Sequence, residues 1–332
     1  MKFKDAIDIL MVGNHLAREE AYGLMRQLGE GAFDDIQNTA LIIALSSRDP
    51  SLDEIMGFRD ALLDLSITTP LSDYTSIDMC GTGGDEKNTF NISTIASFIV
   101  AAAGYPVVKH GNYGVSSVSG SSNVMEHLGY RFSTDASKTE RELNQFNLCF
   151  LHAPLFHPAL KNVSGIRKRL GFKTIFNTLG PLVNPARPKK QLVGVYNLKI
   201  ARLYHYLLQQ SMQEYVVVHS VDGYDEISLT GDFQILSFQG EKLLRPADLG
   251  MEKITDEVLF GGHSVEEAAS IFKRVIDHKG TQAQTNVVIA NAGVAIQCFE
   301  KNKTLTDCIG IAREALSNGN AATLLQKLIN HQ

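Results

Sequence analysis

Cysteine is scarce in this chain. Its 332 residues hold four, Cys80, Cys149, Cys298 and Cys308, and no two of them stand in a CxxC pair. Scattered thiols of this kind argue against a zinc site and a disulfide framework, and they fit a reducing, cytoplasmic compartment. An excess of positive charge is missing too. Lys and Arg number 31 against 36 Asp and Glu, a formal net charge of −5, which makes nucleic acid a poor partner. No window approaches the roughly 20 apolar residues of a membrane span. The short apolar run in MKFKDAIDILMVGNHL is interrupted by Asp5 and Asp8 and does not read as a signal peptide. Internal repeats and low-complexity tracts are absent. What remains is 44% hydrophobic and 20% charged, the balance of a globular protein with more than one domain.

Against that plain background one stretch stands out, SIDMCGTGGDEKNTFNIST from Ser76 to Thr94. Ile77 and Met79 alternate with polar neighbours, as in a strand. Gly81, Gly83 and Gly84 allow positive φ and close approach of backbone to a ligand. Asn91, Ser93 and Thr94 then open a helix whose apolar face is Ile95, Phe98, Ile99 and Ala102. Free N–H groups at a helix start favour anions, so the pattern reads as a phosphate or diphosphate site. A glycine turn that merely joins a strand to a helix is the competing reading.

Residues 1 to about 66 read as helix throughout. Ala17 to Leu28 is a helical run stopped by Gly29, and Ser51-Leu52-Asp53-Glu54 is a capping box leading into Ile55, Phe58, Leu62 and Leu65 on one face. From Ser76 strands alternate with helices. After a strand at Val107 and Val108 comes KHGNYGVSSVSGSSNVMEHLG, a second loop of glycines and small donors in which Lys109 and His110 hold the cationic chemistry. In an open parallel sheet both loops lie at carboxyl ends of strands, where ligands bind. A third strand at Cys149 to Leu151 precedes His152 to Pro188, which holds five of the nine prolines and reads as turns and short helices. His157 and Arg167 are its candidate ligands. Gln191 to Tyr196 and Tyr215 to His219 read as buried strands around a helix near Ala201 to Gln210. Past the second, Asp225 and Glu226 form an acidic turn suited to Mg²⁺ shared with phosphate. Phe233 to Leu244 reads as a hairpin around Gly240. The rest reads as helix, at Val265 to Ile276, Thr281 to Phe299 and Thr304 to Ile329, with Ala290, Ala292, Gly293 and Ala295 permitting close packing against the loops.

The motifs DMCGTGGD, NTFNIST, VKHGN, VSSVSGSSNV, APLFHPALKNV, IRKRLGFKTIFNTLGPLVNPA and DGYDEISLTG, in this order over roughly residues 76 to 231, resemble the anthranilate phosphoribosyltransferases of tryptophan biosynthesis. The resemblance implies an α/β protein of the nucleoside phosphorylase and phosphoribosyltransferase kind. It has a small all-helical domain (1–70, joined by part of 160–188), through which the family dimerises, and a larger α/β domain (71–332) with a central, mostly parallel sheet. It implies transfer of phosphoribosyl from 5-phosphoribosyl 1-diphosphate to the anthranilate amine, at a site between the domains. The diphosphate substrate would contact Gly81, Gly84, Asp85, Thr89, Asn91, Ile92, Ser93 and Thr94. Its second wall would be Lys109, His110, Gly111, Asn112, Tyr113, Gly114, Val115, Ser116, Ser117 and Ser121. Ser93 would hold one Mg²⁺, and Asp225 with Glu226 a second. Anthranilate would meet Gly81, Asn112 and Arg167, with His110, His157, Gly180 and Pro181 lining its approach. The resemblance is not complete: Tyr113 and Val118 replace basic residues common in the family, and Asn123 replaces an aspartate, though it can still cap the following helix.

The reaction so implied expels a polyanion, which needs charge neutralisation more than a strong base. No covalent intermediate and no dedicated base are expected; His110 is the one candidate for proton handling. Two other readings compete. A pyrimidine nucleoside phosphorylase shares the two-domain plan but needs no diphosphate–Mg²⁺ site, and the adjacent Asp225 and Glu226 count against it. A non-catalytic nucleic-acid-binding relative needs a basic groove, which the charge balance opposes.

Overall fold

The structure is a computed structural model that describes residues 1–114, 118–211 and 214–331. The expected phosphate contacts Val115, Ser116 and Ser117 lie outside the described residues. The chain divides into two compact units, one of residues 1–69 and 153–187, the other of residues 70–152 and 188 onward.

The first unit is helical. Phe3–Met11, Arg18–Gly29, Asp35–Ser46 and Leu52–Asp64 come from the amino-terminal segment, and Lys161–Leu170 and Ile175–Leu179 from the later one. Local chemistry sets the boundaries. Ser51 Oγ accepts the Glu54 N–H at 3.2 Å while Glu54 Oε2 accepts the Ser51 N–H at 2.8 Å, a reciprocal cap. Glu54 does more than close a helix. Fully buried, it also accepts the Leu16 N–H at 3.0 Å and pairs with Arg48. Burial opposes its charge, but the Arg48 guanidinium and these backbone donors prevail and hold its pKa down at about 2. The prolines of 153–187 fall in short turns such as Pro158–Leu160 and Gly180–Leu182, where a missing N–H costs nothing.

The second unit is α/β. Its seven strands are β1 (Ile77–Met79), β2 (Val107–Gly111), β3 (Leu148–His152), β4 (Lys190–Gly194), β5 (Glu214–Ser220), β6 (Phe233–Ser237) and β7 (Gly240–Leu244). They lie in the order β3-β2-β1-β4-β5-β6-β7. The first five pair in parallel, with Ile77 beside both Val107 and Lys190, and β6 and β7 complete the sheet antiparallel. Chain order reverses at β1, with β2 on one side and β4 on the other. Such a switch point leaves a crevice beyond the carboxyl ends of the strands.

The alternation read in β1 is not an inside–outside pattern. Ile77, Asp78 and Met79 are all buried, as befits a central parallel strand covered on both faces. Asp78 survives there because its Oδ1 accepts the His110 N–H at 3.1 Å. Two further readings are corrected. The carboxyl-terminal helix is two helices, Leu305–Ser317 and Asn320–Asn330, broken where Gly319 takes φ +78°. And Gly293 of the buried Gln282–Gln297 helix lets Ile309 of the next helix approach, rather than the loops. The core of this unit gathers on Phe98, Phe150 and Phe272, with Phe98 and Phe272 edge to face at 5.9 Å. Among the described residues no helix is long and apolar enough to cross a membrane.

Candidate active site

Three loops, those after β1, β2 and β5, meet at the carboxyl end of the sheet beside the end of β4. The β1 loop is laid along β4 by two backbone bonds, Cys80 N–H to Leu192 O and Thr82 N–H to Gly194 O, at 3.2 and 2.9 Å. Gly83 and Gly84 have positive φ, and so does Glu86 at +60°, a conformation that strains a side chain. The loop then returns against residues 259–262: Phe90 N–H reaches Leu259 O at 2.8 Å, and Asn88 Nδ2 donates to Gly262 O at 2.7 Å. Its chain direction is thereby set before the Ile92–Ala102 helix begins.

The acidic turn after β5 points its carboxylates into this frame. Asp225 Oδ2 accepts the Gly83 N–H at 2.7 Å, and Glu226 Oε1 accepts the Ser93 N–H, in the first turn of the Ile92–Ala102 helix, at 3.1 Å. The anion-seeking amides of the loop and of the helix start are thus already turned toward carboxylates. Glycine makes the approach feasible. A Cβ on Gly81 would collide with the Asp225 carboxylate, and one on Gly194 would collide with the Asp225 backbone carbonyl. From the other side Lys109 crosses beneath. Buried to 2% exposure, its ammonium donates to Met79 O and, at 3.3 Å, to Ser93 Oγ.

The electrostatics of this cluster are unbalanced. Burial, then the neighbouring Asp85 and Glu226 charges, push the Asp225 carboxyl well above the usual carboxylate range. Burial raises Glu226 to about 7 despite the opposing pull of Lys109, and burial raises Asp85 as well. Among the described residues no three His, Cys, Asp or Glu side chains are placed to cage a metal ion by themselves. One or two hard oxygen ligands beside a phosphate-type loop are nevertheless what Mg²⁺ requires, since substrate phosphates and water supply the rest. The residues present therefore fit that ion.

The β2 loop forms the remaining wall. Gly111 ends the strand beside Ser121, and Ser121 Oγ donates to Asn112 O at 3.4 Å. Asn123 Oδ1 accepts both the Gly114 and the Gly120 N–H, at 2.9 and 3.0 Å; it caps from the third helical position, not from the helix boundary. Asn91 Nδ2 donates to Ser119 O at 3.2 Å, and the Val118 N–H reaches Asn88 Oδ1 at 3.3 Å, so the two loops are tied together. Thr94 is buried in the Ile92–Ala102 helix, and Thr89 bridges to Phe260. His110 is 3% exposed, which leaves its ring little access to solvent protons.

The structure thus brings Gly81, Asp85, Ser93, Lys109, Asn112, Ser121, Asp225 and Glu226 to one end of one sheet. Arg167, His157, Gly180 and Pro181 belong to the helical unit. Arg167 lies over the Phe176 ring at 5.0 Å; burial lowers its pKa, and its Nε finds no hydrogen-bond partner among the described residues. His157 Nε2 donates to Val183 O at 2.8 Å, and burial drives its pKa down to about 4. Pro181 is buried in the Gly180–Leu182 turn.

Three residues that hold the site escaped the sequence reading. Gly194 is one, and a glycine inside the strand run QLVGVY was its signal. Asn291 is the second: alone among apolar residues, it accepts the Ile227 N–H and donates to Ile227 O, both at 3.0 Å, steadying the acidic turn. Asn88 is the third: it heads the NTFNIST motif, but nothing local told that its side chain would tie the β1 loop to Gly262 and Val118.

Comparison with known proteins agrees with this architecture. Residues 4–66 match the glycosyl transferase family, helical bundle domain, and residues 73–322 the glycosyl transferase family, a/b domain. Helical bundle and phosphate-loop sheet together define a two-domain glycosyl transferase. Anthranilate phosphoribosyltransferase of Bacteroides thetaiotaomicron is 50% identical over 315 residues, 95% of each chain. The anthranilate phosphoribosyltransferase structure from Thermus thermophilus aligns with a TM-score of 0.91 at 31% identity, over 98% of each chain. The Saccharomyces cerevisiae structure in complex with PRPP and Mg aligns with a TM-score of 0.87 at 25% identity, over 99% of this chain and 97% of that one. The chain belongs to the anthranilate phosphoribosyltransferase family.

Proposed function

We propose that this protein transfers the phosphoribosyl group of 5-phosphoribosyl 1-diphosphate to the amine of anthranilate, releasing diphosphate, in tryptophan biosynthesis. The observation that carries the proposal is the meeting of Asp225 with the Gly83 amide and of Glu226 with the Ser93 amide at the switch point of the sheet. Anion-binding amides and cation-binding carboxylates then stand side by side, as a diphosphate with its metal requires. The yeast relative, solved with PRPP and Mg, supports the same reading.

In this account the diphosphate lies against the Gly81–Asp85 and Thr89–Thr94 segments, with Lys109 and the Gly111–Gly114 and Ser121 segments opposite. Ser93, Asp225 and Glu226 would hold Mg²⁺, two ions in all. Held by these residues, Mg²⁺ would supply charge neutralisation to the departing diphosphate. Lys109 adds fixed charge at the same end, and the amides and hydroxyls of both loops receive the oxygens that gain charge as the bond to C1 of ribose breaks. The acceptor is held, not activated. Arg167, a half-desolvated cation with unused donor capacity, takes the anthranilate carboxylate, and Asn112 orients the amine for attack on C1. Gly180 and Pro181 line the acceptor's approach, with His157 anchored on the Val183 carbonyl. The amine loses its proton after attack, with His110 the one candidate to receive it.

The helical unit is proposed to form a homodimer. Ile36, Ile43, Ile166 and Leu170 line an apolar groove on it, and Ile36 is 81% exposed, an arrangement that marks an interaction surface.

The metal role has a direct test. Asp225→Asn combined with Glu226→Gln removes both charges while keeping shape. Turnover falls by at least about a hundredfold, a transition-state loss of ~3 kcal/mol, while the melting temperature holds or rises because buried like charges are gone. Near-normal turnover at limiting Mg²⁺ would remove these residues from the metal site.

A further inference from the structure

Tyr113 stands in the phosphate loop where a cation would be the obvious choice, and a phenol offers a polyanion no charge. Its surroundings give it a different use. The Tyr113 ring meets the His152 ring edge to face, with centroids 4.6 Å apart, and the His152 ring stacks on Phe132 at 4.8 Å and 26°. His152 is itself fixed by Ser122 Oγ at 2.8 Å. The Tyr113 hydroxyl donates to Glu126 Oε1 at 2.9 Å. One side chain therefore joins the loop to the end of β3 and to the Ser121–His127 helix, although Tyr113 is 41% exposed.

Backbone geometry around it shows what the clamp holds. The Tyr113 N–H is turned back to Asn112 Oδ1 at 2.8 Å, Gly114 N–H goes to Asn123 Oδ1, and Ser122 N–H to Asn112 O at 3.1 Å. Gly120 packs so closely against residues 112–114 that a Cβ there would strike the Asn112 carbonyl and the Gly114 nitrogen. Residues 112 to 114 and 120 to 122 thus form one pinned double turn.

We propose that Tyr113 is a positioning residue. Through His152 and Glu126 it pre-orders the Asn112–Gly114 turn, so that the diphosphate substrate meets backbone and hydroxyl donors already in place; loop order does the work that loop charge would otherwise do. This rests on the reading of the site given above. Pre-organisation lowers the cost of binding, so the clamp acts first on affinity for the diphosphate substrate.

The test reads free and bound states separately. In ligand-free protein, hydrogen exchange at the Gly114 and Gly120 amides speeds up about tenfold in Tyr113→Ala and less in Tyr113→Phe, which keeps the ring contact. Calorimetric titration with Mg²⁺ and phosphoribosyl diphosphate weakens about tenfold in Tyr113→Ala, and in turnover KM for that substrate rises by a similar factor. Glu126→Gln retains an acceptor and behaves as wild type, whereas Glu126→Ala matches Tyr113→Phe and adds nothing to it in the double variant. Unchanged exchange in Tyr113→Ala overturns the clamp whatever the substrate is. Faster exchange with unchanged titration, or a fall in kcat with constant KM, overturns its role in affinity. Wild-type protein that does not bind the diphosphate at all overturns the function proposed above, while the exchange result still decides the clamp.

Discussion

Arg167 illustrates how far a single residue can be read. Within IRKRLG it is one of three basic residues at the end of a helix, and a solvated face is the ordinary fate of such residues. Its neighbours Lys168 and Arg169 follow that rule and are exposed, but Arg167 lies partly buried over Phe176 without a carboxylate partner among the described residues. Tertiary placement makes the distinction; no local pattern could. Arg167→Ala is expected to raise the KM for anthranilate about tenfold to a hundredfold with little change for the diphosphate substrate, and Arg167→Lys to recover only part, since an ammonium cannot reproduce a bidentate fork. Steady-state kinetics with each substrate varied checks this, and an unchanged anthranilate KM would contradict it. His157 shows the reverse case. It is conspicuous in sequence, yet its ring is engaged inside the helical unit with Val183. With its pKa lowered to about 4 by burial, the folded protein declines a proton that the unfolded chain accepts near the ordinary value of about 6.5. Stability from this group is therefore complete above about pH 6.5 and falls as pH drops toward 4, by a few kcal/mol. His157→Gln should flatten melting temperature against pH in that window. The acid limb set by Glu54, whose pKa is held at about 2, should remain. Identical curves for both proteins would show that His157 titrates freely.

At the scale of elements, hydrophobic period and turn chemistry made most of the α/β unit legible. β2, β4 and β5, the Phe233–Leu244 hairpin and the Val265–Ile276 helix each carry a strong local signal: apolar runs containing valine, a turn glycine, a Ser264 cap accepting the Glu267 N–H at 3.2 Å. Failures came where the deciding contact is distant in sequence. Gly293 faces Ile309 because two helices cross there, and Asp78 is tolerated in a buried strand because β2 supplies a donor. The Gly194–Asp225 contact is of the same kind, and it matters most for the site. Gly194→Ala must move the acidic turn, costing about 1–3 kcal/mol of stability and shifting Asp225 away from Gly83. A steeper Mg²⁺ requirement should accompany lower turnover. Gly310→Ala, where an added Cβ meets open space in a helix, is the contrast, with a gain of about 0.5–1 kcal/mol. Thermal melts and Mg²⁺ titrations of the two variants separate a steric effect on the acidic turn from a general sensitivity to alanine; equal behaviour would refute the steric account.

For the whole molecule, the order of motifs says more than any single one. Glycine loops punctuate many proteins, but the ordered motifs over residues 76 to 231 carry the resemblance to the anthranilate phosphoribosyltransferases, and it is that resemblance which implies phosphoribosyl transfer. Period alone could not assign residues 153–187 to the helical unit, because short helices and turns carry little periodic signal. Assembly belongs at this scale as well. Ile36→Asp, on the exposed apolar groove of the helical unit, is expected to convert the proposed dimer into a monomer in light scattering with the fold intact; a mass unchanged from wild type would contradict an interface at this groove. The most direct test of the account is a single mixture. Protein, Mg²⁺, phosphoribosyl diphosphate and anthranilate are combined, and the anthranilate fluorescence is followed. Fluorescence decays in proportion to enzyme and stops when either Mg²⁺ or the diphosphate substrate is withheld. A steady signal from well-folded protein, or a decay indifferent to the diphosphate substrate, would contradict the account.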